Sequence, residues 1–143
     1  MNAGKTNDSL FMFIWILSLF STLGSLFFSE VMKLPPCVLC WYQRIAMYPI
    51  AILLPIAILK NESRSFLKYL WILIGLGFAV AVYHNLLYHG LISESLSPCK
   101  EGISCTSRQI SWFGFISIPL LSLLSFVLML AAASFIQFKK REV

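Results

Sequence analysis

Cys37 and Cys40 lie three positions apart in the stretch P-P-C-V-L-C-W-Y-Q-R, and Arg44 follows four positions after Cys40. A second pair, Cys99 and Cys105, has five residues between its members. Cysteines at such spacing can exchange disulfides, ligate a metal or brace a loop, and compartment and neighbours decide among these. Arg44 adds a charge that cannot be neutralised. If a helix begins near Cys40, Arg44 at i+4 shares its face one turn deeper. The opening of a helix also favours a thiolate through its unpaired N–H groups and its dipole, so Cys40 and Arg44 together read as a redox site.

The elements that position these residues are apolar. The chain has 143 residues, 59% of them hydrophobic and 12% charged, against about 25% charged in ordinary soluble domains. Four apolar runs cover about 10–28, 41–59, 69–88 and 112–138, each near the 20 residues that cross a bilayer as a helix. The first exceeds the apolar core of a cleaved signal and no A-x-A-like site follows it, so it reads as a retained helix. The expected fold is an all-α membrane protein: one domain over 1–143, a bundle of four transmembrane helices with two short cysteine-bearing loops. The net charge of +5 flanks hydrophobic spans and forms no soluble patch, so it reads as a topology signal and no nucleic-acid partner is expected.

Lys and Arg set the orientation. Lys5, the group Lys60, Arg64 and Lys68, and the tail Lys139, Lys140 and Arg141 fall on one side; Lys33, Arg44, Lys100 and Arg108 fall on the other. The richer side predicts cytoplasmic termini, which places all four cysteines on or beside extracytoplasmic loops, where disulfides persist.

Three readings of the cysteines compete. Structural bridges are the first. Closing the seven-residue Cys99–Cys105 loop contributes about 2–2.5 kcal/mol in the chain-entropy account, a small aid to helices whose backbone groups are already satisfied. A four-cysteine zinc site is the second. A gap of five is wider than zinc-binding pairs of about two to four, and the oxidising side disfavours four thiolates, so no metal is expected. Thiol–disulfide exchange is the third, and it needs an electron acceptor. No G-x-G-x-x-G or C-x-x-C-H motif is present and too little soluble chain remains for a flavin domain. A lipid-soluble quinone at the membrane edge beside Cys40 and Arg44 would suit. The non-enzymatic rival is a membrane scaffold with structural disulfides.

The stretch Pro36–Arg44, P-C-V-L-C-W-Y-Q-R, resembles the P-C-x-L-C-x-x-[QE]-R signature of the DsbB/BdbC family of disulfide-bond formation proteins. The run C-T-S-R-Q-I-S-W-F-G-F-I-S-I-P from Cys105 to Pro119 also resembles that family's approach to its last helix, and the short Cys99–Cys105 spacing is closer to the BdbC type. The resemblance implies a membrane thiol:quinone oxidoreductase that reoxidises an extracytoplasmic thioredoxin-fold thiol oxidase, DsbA/BdbD-like, and passes electrons to ubiquinone or menaquinone. It further implies that Cys99 is attacked by the partner's thiolate and that Cys105 is its mate and exchanges with Cys37. Cys37–Cys40 would be the quinone-proximal pair, with Cys40 against the quinone ring and Arg44 binding and polarising it. The vitamin K epoxide reductase-like group fits less well, since it places C-x-x-C at the end of a late helix.

His84 falls near the outer end of the third run, level with Cys40, and is a candidate hydrogen-bond or proton donor to a quinone oxygen. His89 lies about 140° around a helix from it, so the two form no common metal site and His89 reads as loop. Trp41, Tyr42 and Trp112 fit an interfacial aromatic belt, with Trp112 or Phe113 as candidate flanks of a quinone ring. Pro49 and Pro55 interrupt the second run and could open space beneath Cys40. Gly75-x-x-x-Ala79 and Gly77-x-x-x-Ala81 offer small faces for close helix packing.

Overall fold

A computed structural model describes residues 3–93, 111–112 and 116–141. Four helices form: α1 (Ala3–Leu26), α2 (Val38–Leu59), α3 (Ser63–Tyr88) and α4 (Ile118–Arg141). A π-helical turn, Phe27–Val31, extends α1. All four are long and apolar enough to span a bilayer, over Asp8–Val31, Val38–Leu59, Ser65–Tyr88 and Ile118–Phe138. The chain is a multi-pass membrane protein with a four-helix bundle. Each helix packs on the next and α1 on α4, closing a ring.

All four starts differ from the sequence expectation. α1 begins at Ala3 rather than near Leu10 and α3 at Ser63 rather than near Tyr69, because the polar residues ahead of each apolar run continue the helix. α2 begins at Val38 rather than near Trp41, because Pro35 and Pro36 hold the approach extended and Cys37 is already a helix cap. α4 begins at Ile118 rather than Trp112. Before it a two-rung antiparallel ribbon pairs Ser111 with Ser117 and Trp112 with Ile116.

The apolar core sits at the end of the bundle that holds the N-terminus of α1. Phe11, Ile14, Leu54, Leu70, Ile74, Met129 and Ala133 are fully buried or nearly so and pack as one cluster. Close approach of α3 and α4 depends on Gly77, where a Cβ would overlap the ring of Phe126; a Cβ at Gly75 would meet nothing. Only the Gly77 face is therefore used for packing.

Both prolines of α2 lie inside the helix. Pro55 has no N–H for the carbonyl of Ala51, four residues earlier. The indole Nε1–H of Trp15 donates to that carbonyl at 3.1 Å, so α1 supplies the hydrogen bond that Pro55 removes. In hydrocarbon an orphaned carbonyl costs several kcal/mol, and the pairing is a specific weld between α1 and α2.

Candidate active site

The other end of the bundle is polar inside. Cys37 is the N-cap of α2, with extended backbone (φ −70°, ψ 167°), and its sulfur accepts from the Cys40 amide at 3.4 Å. The Cys40 thiol lies 2.9 Å from the Cys37 sulfur, and Nε2 of His84 lies 3.8 Å away on the facing helix α3. Three groups thus converge on Cys37. They lower its pKa from the ordinary thiol range to about 4, the Cys40 thiol contributing most, with His84 and the Cys40 amide assisting against the upward push of burial. The sequence placed Cys40 near the opening of the second helix, and it lies in the first turn of α2; because α2 starts three residues earlier than expected, Cys37 is the cap itself.

His84 is 2% exposed, and its orientation is set by Gln43. The amide Nε2 of Gln43 lies 3.3 Å from His84 Nδ1, and its Oε1 accepts from the Ser122 hydroxyl at 2.7 Å. An amide nitrogen only donates, so Nδ1 accepts and the ring proton occupies Nε2, facing Cys37. The chain Ser122–Gln43–His84–Cys37 links α4, α2 and α3.

Arg44 is 7% exposed and turns inward. Its Nε donates to the Ser25 hydroxyl at 2.7 Å and an Nη to the Ser25 carbonyl at 2.9 Å. The guanidinium carbon lies 5.3 Å from the Trp41 ring centroid. Snorkelling to the membrane surface is therefore not its role. Among the described residues no carboxylate pairs with it, so a charge is held inside by neutral partners and one aromatic face. Such a charge in a membrane helix is costly and marks function.

Cys37, Cys40, Gln43, Arg44 and His84 line one cavity of about 400 Å³ between the helices. Its walls include the hydroxyl-bearing residues Ser21, Thr22 and Ser25 of α1 and Ser122 and Ser125 of α4. Ser21 donates to Ser125 across the bundle at 3.2 Å, while the Thr22 hydroxyl oxygen is buried without a partner among the described residues. An apolar ring with polar edges fits this lining. The guanidinium has five N–H groups, and among the described residues the Ser25 bonds engage two of them, leaving donors for a carbonyl oxygen.

Cys37, Cys40, Arg44 and His84 are thus brought together. Cys99, Cys105 and Phe113 lie outside the described residues, as does the side chain of Trp112. His89 is exposed beside the ring of Tyr88, a loop residue as the sequence suggests. Gln43, Ser25, Thr22 and Ser122 carry site functions that the sequence reading did not assign. For Thr22 and Ser25 the signal was the spacing Ser18, Ser21, Thr22, Ser25 in an apolar run, the i, i+3, i+4, i+7 pattern of one helix face.

The profile of the disulfide bond formation protein DsbB family matches residues 7–136. The chain is 38% identical over 128 residues to disulfide bond formation protein C of Bacillus subtilis, covering 90% of this chain and 92% of that one. It is 38% identical over 141 residues to a probable disulfide formation protein C 1 of Bacillus anthracis, covering 99% and 100%. With the SPbeta prophage-derived disulfide bond formation protein B of Bacillus subtilis it shares 41% over 121 residues, 84% of this chain and 80% of that one. No solved structure gives a significant match.

Proposed function

The chain belongs to the DsbB family of disulfide bond formation proteins, and on that premise we propose that it is a quinone-dependent thiol oxidase of the extracytoplasmic side. In this reading it reoxidises a thioredoxin-fold thiol oxidase, DsbA/BdbD-like, through Cys99–Cys105 and then Cys37–Cys40. The observation that carries the reading is the Cys37–Cys40 dithiol on the wall of a cavity shared with the buried Arg44.

A membrane quinone, ubiquinone or menaquinone, would supply a two-electron, two-proton acceptor in that cavity. Arg44 would hold one of its oxygens, and the orphaned Thr22 hydroxyl and His84 are further polar contacts. The chain's own residues perform the thiol chemistry. Oxidation of the Cys37 thiolate and the Cys40 thiol forms one S–S bond and releases two electrons and one proton, the other proton having already left Cys37. Cys37, stabilised as a thiolate, is the sulfur suited to attack or leave in exchange with Cys105, since the thiolate is the reactive form and a low-pKa thiolate leaves readily. Gln43 holds His84 with its Nε2 proton toward Cys37, so the imidazole donates a hydrogen bond that favours the charged form of that sulfur. Arg44, fixed by Ser25, provides positive charge without titrating.

The lysine and arginine distribution supports cytoplasmic termini and an extracytoplasmic cysteine end. Four antiparallel helices put both termini at one end of the bundle and the cysteine cluster at the other.

The test is quinone reduction, followed by absorbance, by purified protein in detergent with a reduced thioredoxin-fold partner and a soluble quinone analogue. Turnover is expected from the native chain and none above background from Cys40→Ser. Quinone left oxidised by the native chain across several quinones and partners, with both disulfides persisting, would sink the proposal in favour of a scaffold.

A further inference from the structure

Cys37, Cys40 and His84 also form a ligand set that thiol exchange does not require. The two sulfurs and a histidine ring nitrogen all lie within 4.8 Å of one another. We propose that the reduced cluster is a binding site for a thiophilic d¹⁰ dication, Zn²⁺ or its heavier congener Cd²⁺, ligated by both sulfurs and His84 Nε2. The site differs from the four-cysteine arrangement set aside above, because a histidine on α3 replaces the second cysteine pair.

The geometry needs little adjustment. Zinc binds sulfur at about 2.3 Å and imidazole nitrogen at about 2.0–2.1 Å in a tetrahedron, which sets ligand separations of about 3.8 Å for S···S and about 3.6 Å for S···N. Nε2 already stands 3.8 Å from the Cys37 sulfur. The sulfurs must part from 2.9 Å, which rotation of the Cys40 side chain about χ1 supplies. All three ligands line the cavity, so a water there can take the fourth position.

Charge favours the loaded state. Binding releases whatever thiol protons remain to water, and two thiolates cancel the two positive charges of the ion. The complex therefore adds no net charge to an apolar setting that already holds Arg44. The relay behind the histidine accommodates ligation as well. Turning the Gln43 amide by 180° lets Oε1 accept from His84 Nδ1–H while the amide nitrogen donates to Ser122. Nε2 is then bare and free to ligate, and the Ser122 hydroxyl can turn its proton to a carbonyl of its own helix. Metal-bound histidines are usually supported in this way through their other nitrogen. An ion so held would lock the pair reduced and withdraw it from exchange.

The inference rests on the reduced dithiol alone and not on the proposed acceptor, so its test uses neither quinone nor partner. Full-length protein with Cys99→Ser and Cys105→Ser is reduced, freed of reductant and titrated with Cd²⁺, following the ultraviolet thiolate-to-cadmium absorption. One ion per chain is expected, with binding at least about tenfold weaker in His84→Ala and about 10–100-fold weaker in Gln43→Leu, the range for loss of a supporting contact. Zn²⁺-loaded protein carrying no change at Cys37, Cys40 or His84 is also measured by X-ray absorption, which depends on no site variant. Two sulfurs and one imidazole are expected in the shell. Absence of binding, a shell lacking imidazole, or affinity within twofold of the parent in His84→Ala would each overturn the proposal.

Discussion

The two ends of this bundle are made from the same four helices and solve opposite problems. Toward the N-terminus of α1, Phe11, Ile14, Leu54, Leu70, Ile74 and Met129 close the space between helices with side chains that have no polar atom to satisfy. Toward the C-terminus of α1, the same interhelical space holds a cavity with a thiol pair, a buried guanidinium, an imidazole and a row of hydroxyls. In lipid, apolar residues gain nothing by facing one another rather than acyl chains, so packing and hydrogen bonds must hold helices together. One end uses packing and the other uses a polar network. Stability should reside mainly in the first and chemistry in the second.

The largest test of that division concerns charge at the polar end. In the reduced protein Cys37 is held near pKa 4, first by the Cys40 thiol. Alkylation of Cys37 should therefore stay within about twofold between pH 6 and 8. An ordinary thiol with pKa about 8.5 reacts nearly 100-fold faster across that interval, because its thiolate fraction grows with pH. The flat profile, not a high rate, is the signature, since low-pKa thiolates are intrinsically weaker nucleophiles. The linkage has a definite sign. A folded-state value below the unfolded one stabilises the reduced protein fully above the ordinary thiol value, and that contribution is lost as pH falls toward 4. Mass-spectrometric alkylation rates of Cys37 in Cys99→Ser/Cys105→Ser protein, rising through an ordinary thiol midpoint, would show that the polar end holds no thiolate.

A crossed pair of substitutions separates the ends more directly. Leu54→Ala removes a fully buried side chain away from the cavity and should cost about 2–5 kcal/mol, with activity per folded molecule retained. Arg44→Met should do the reverse. Turnover should fall at least about tenfold, equivalent to about 1.4 kcal/mol of transition-state stabilisation. Stability should be unchanged or raised, because replacing a buried charge by an apolar side chain of similar length removes its desolvation penalty. Unfolding in mixed micelles, read beside quinone turnover, gives both numbers. If Arg44→Met destabilised as much as Leu54→Ala, the guanidinium would be a structural clamp.

The two ends also differ in how far sequence could reveal them. The four spans were legible because hydrocarbon imposes a length and excludes charge, and Cys37, Cys40, Arg44 and His84 stood out as polar groups at one level of two segments. The partners were harder to see. Ser25, Thr22 and Ser122 are small and common in membrane helices, so only their alignment on helix faces marks them, and which face turns inward is a tertiary fact. Gln43 lay inside the recognised motif, yet its function depends on His84, 41 residues later, coming within 3.3 Å. The start of α2 moved from Trp41 to Val38, making Cys37 the cap, for a local reason. Apolar periodicity marks where a helix is buried, not where its first turn begins, and two prolines set that point.

Trp15 and Pro55 give the smallest and most local test of the division. The Ala51 carbonyl loses its helical donor to Pro55 and takes the Trp15 indole instead. Trp15→Phe keeps most of the ring and deletes the N–H, leaving a buried carbonyl unsatisfied at a cost of about 1–3 kcal/mol. Pro55→Ala should be nearly neutral alone, since an intrahelical N–H returns as the indole bond becomes redundant. In the double variant the new amide satisfies the carbonyl, so the penalty of Trp15→Phe should shrink by at least about 1 kcal/mol, within the range of couplings between contacting residues. Neither residue lines the cavity, so turnover per folded molecule should be unchanged throughout. A Trp15→Phe penalty that persists with alanine at position 55 would assign the indole's contribution to ring packing and remove the α1–α2 weld from the account.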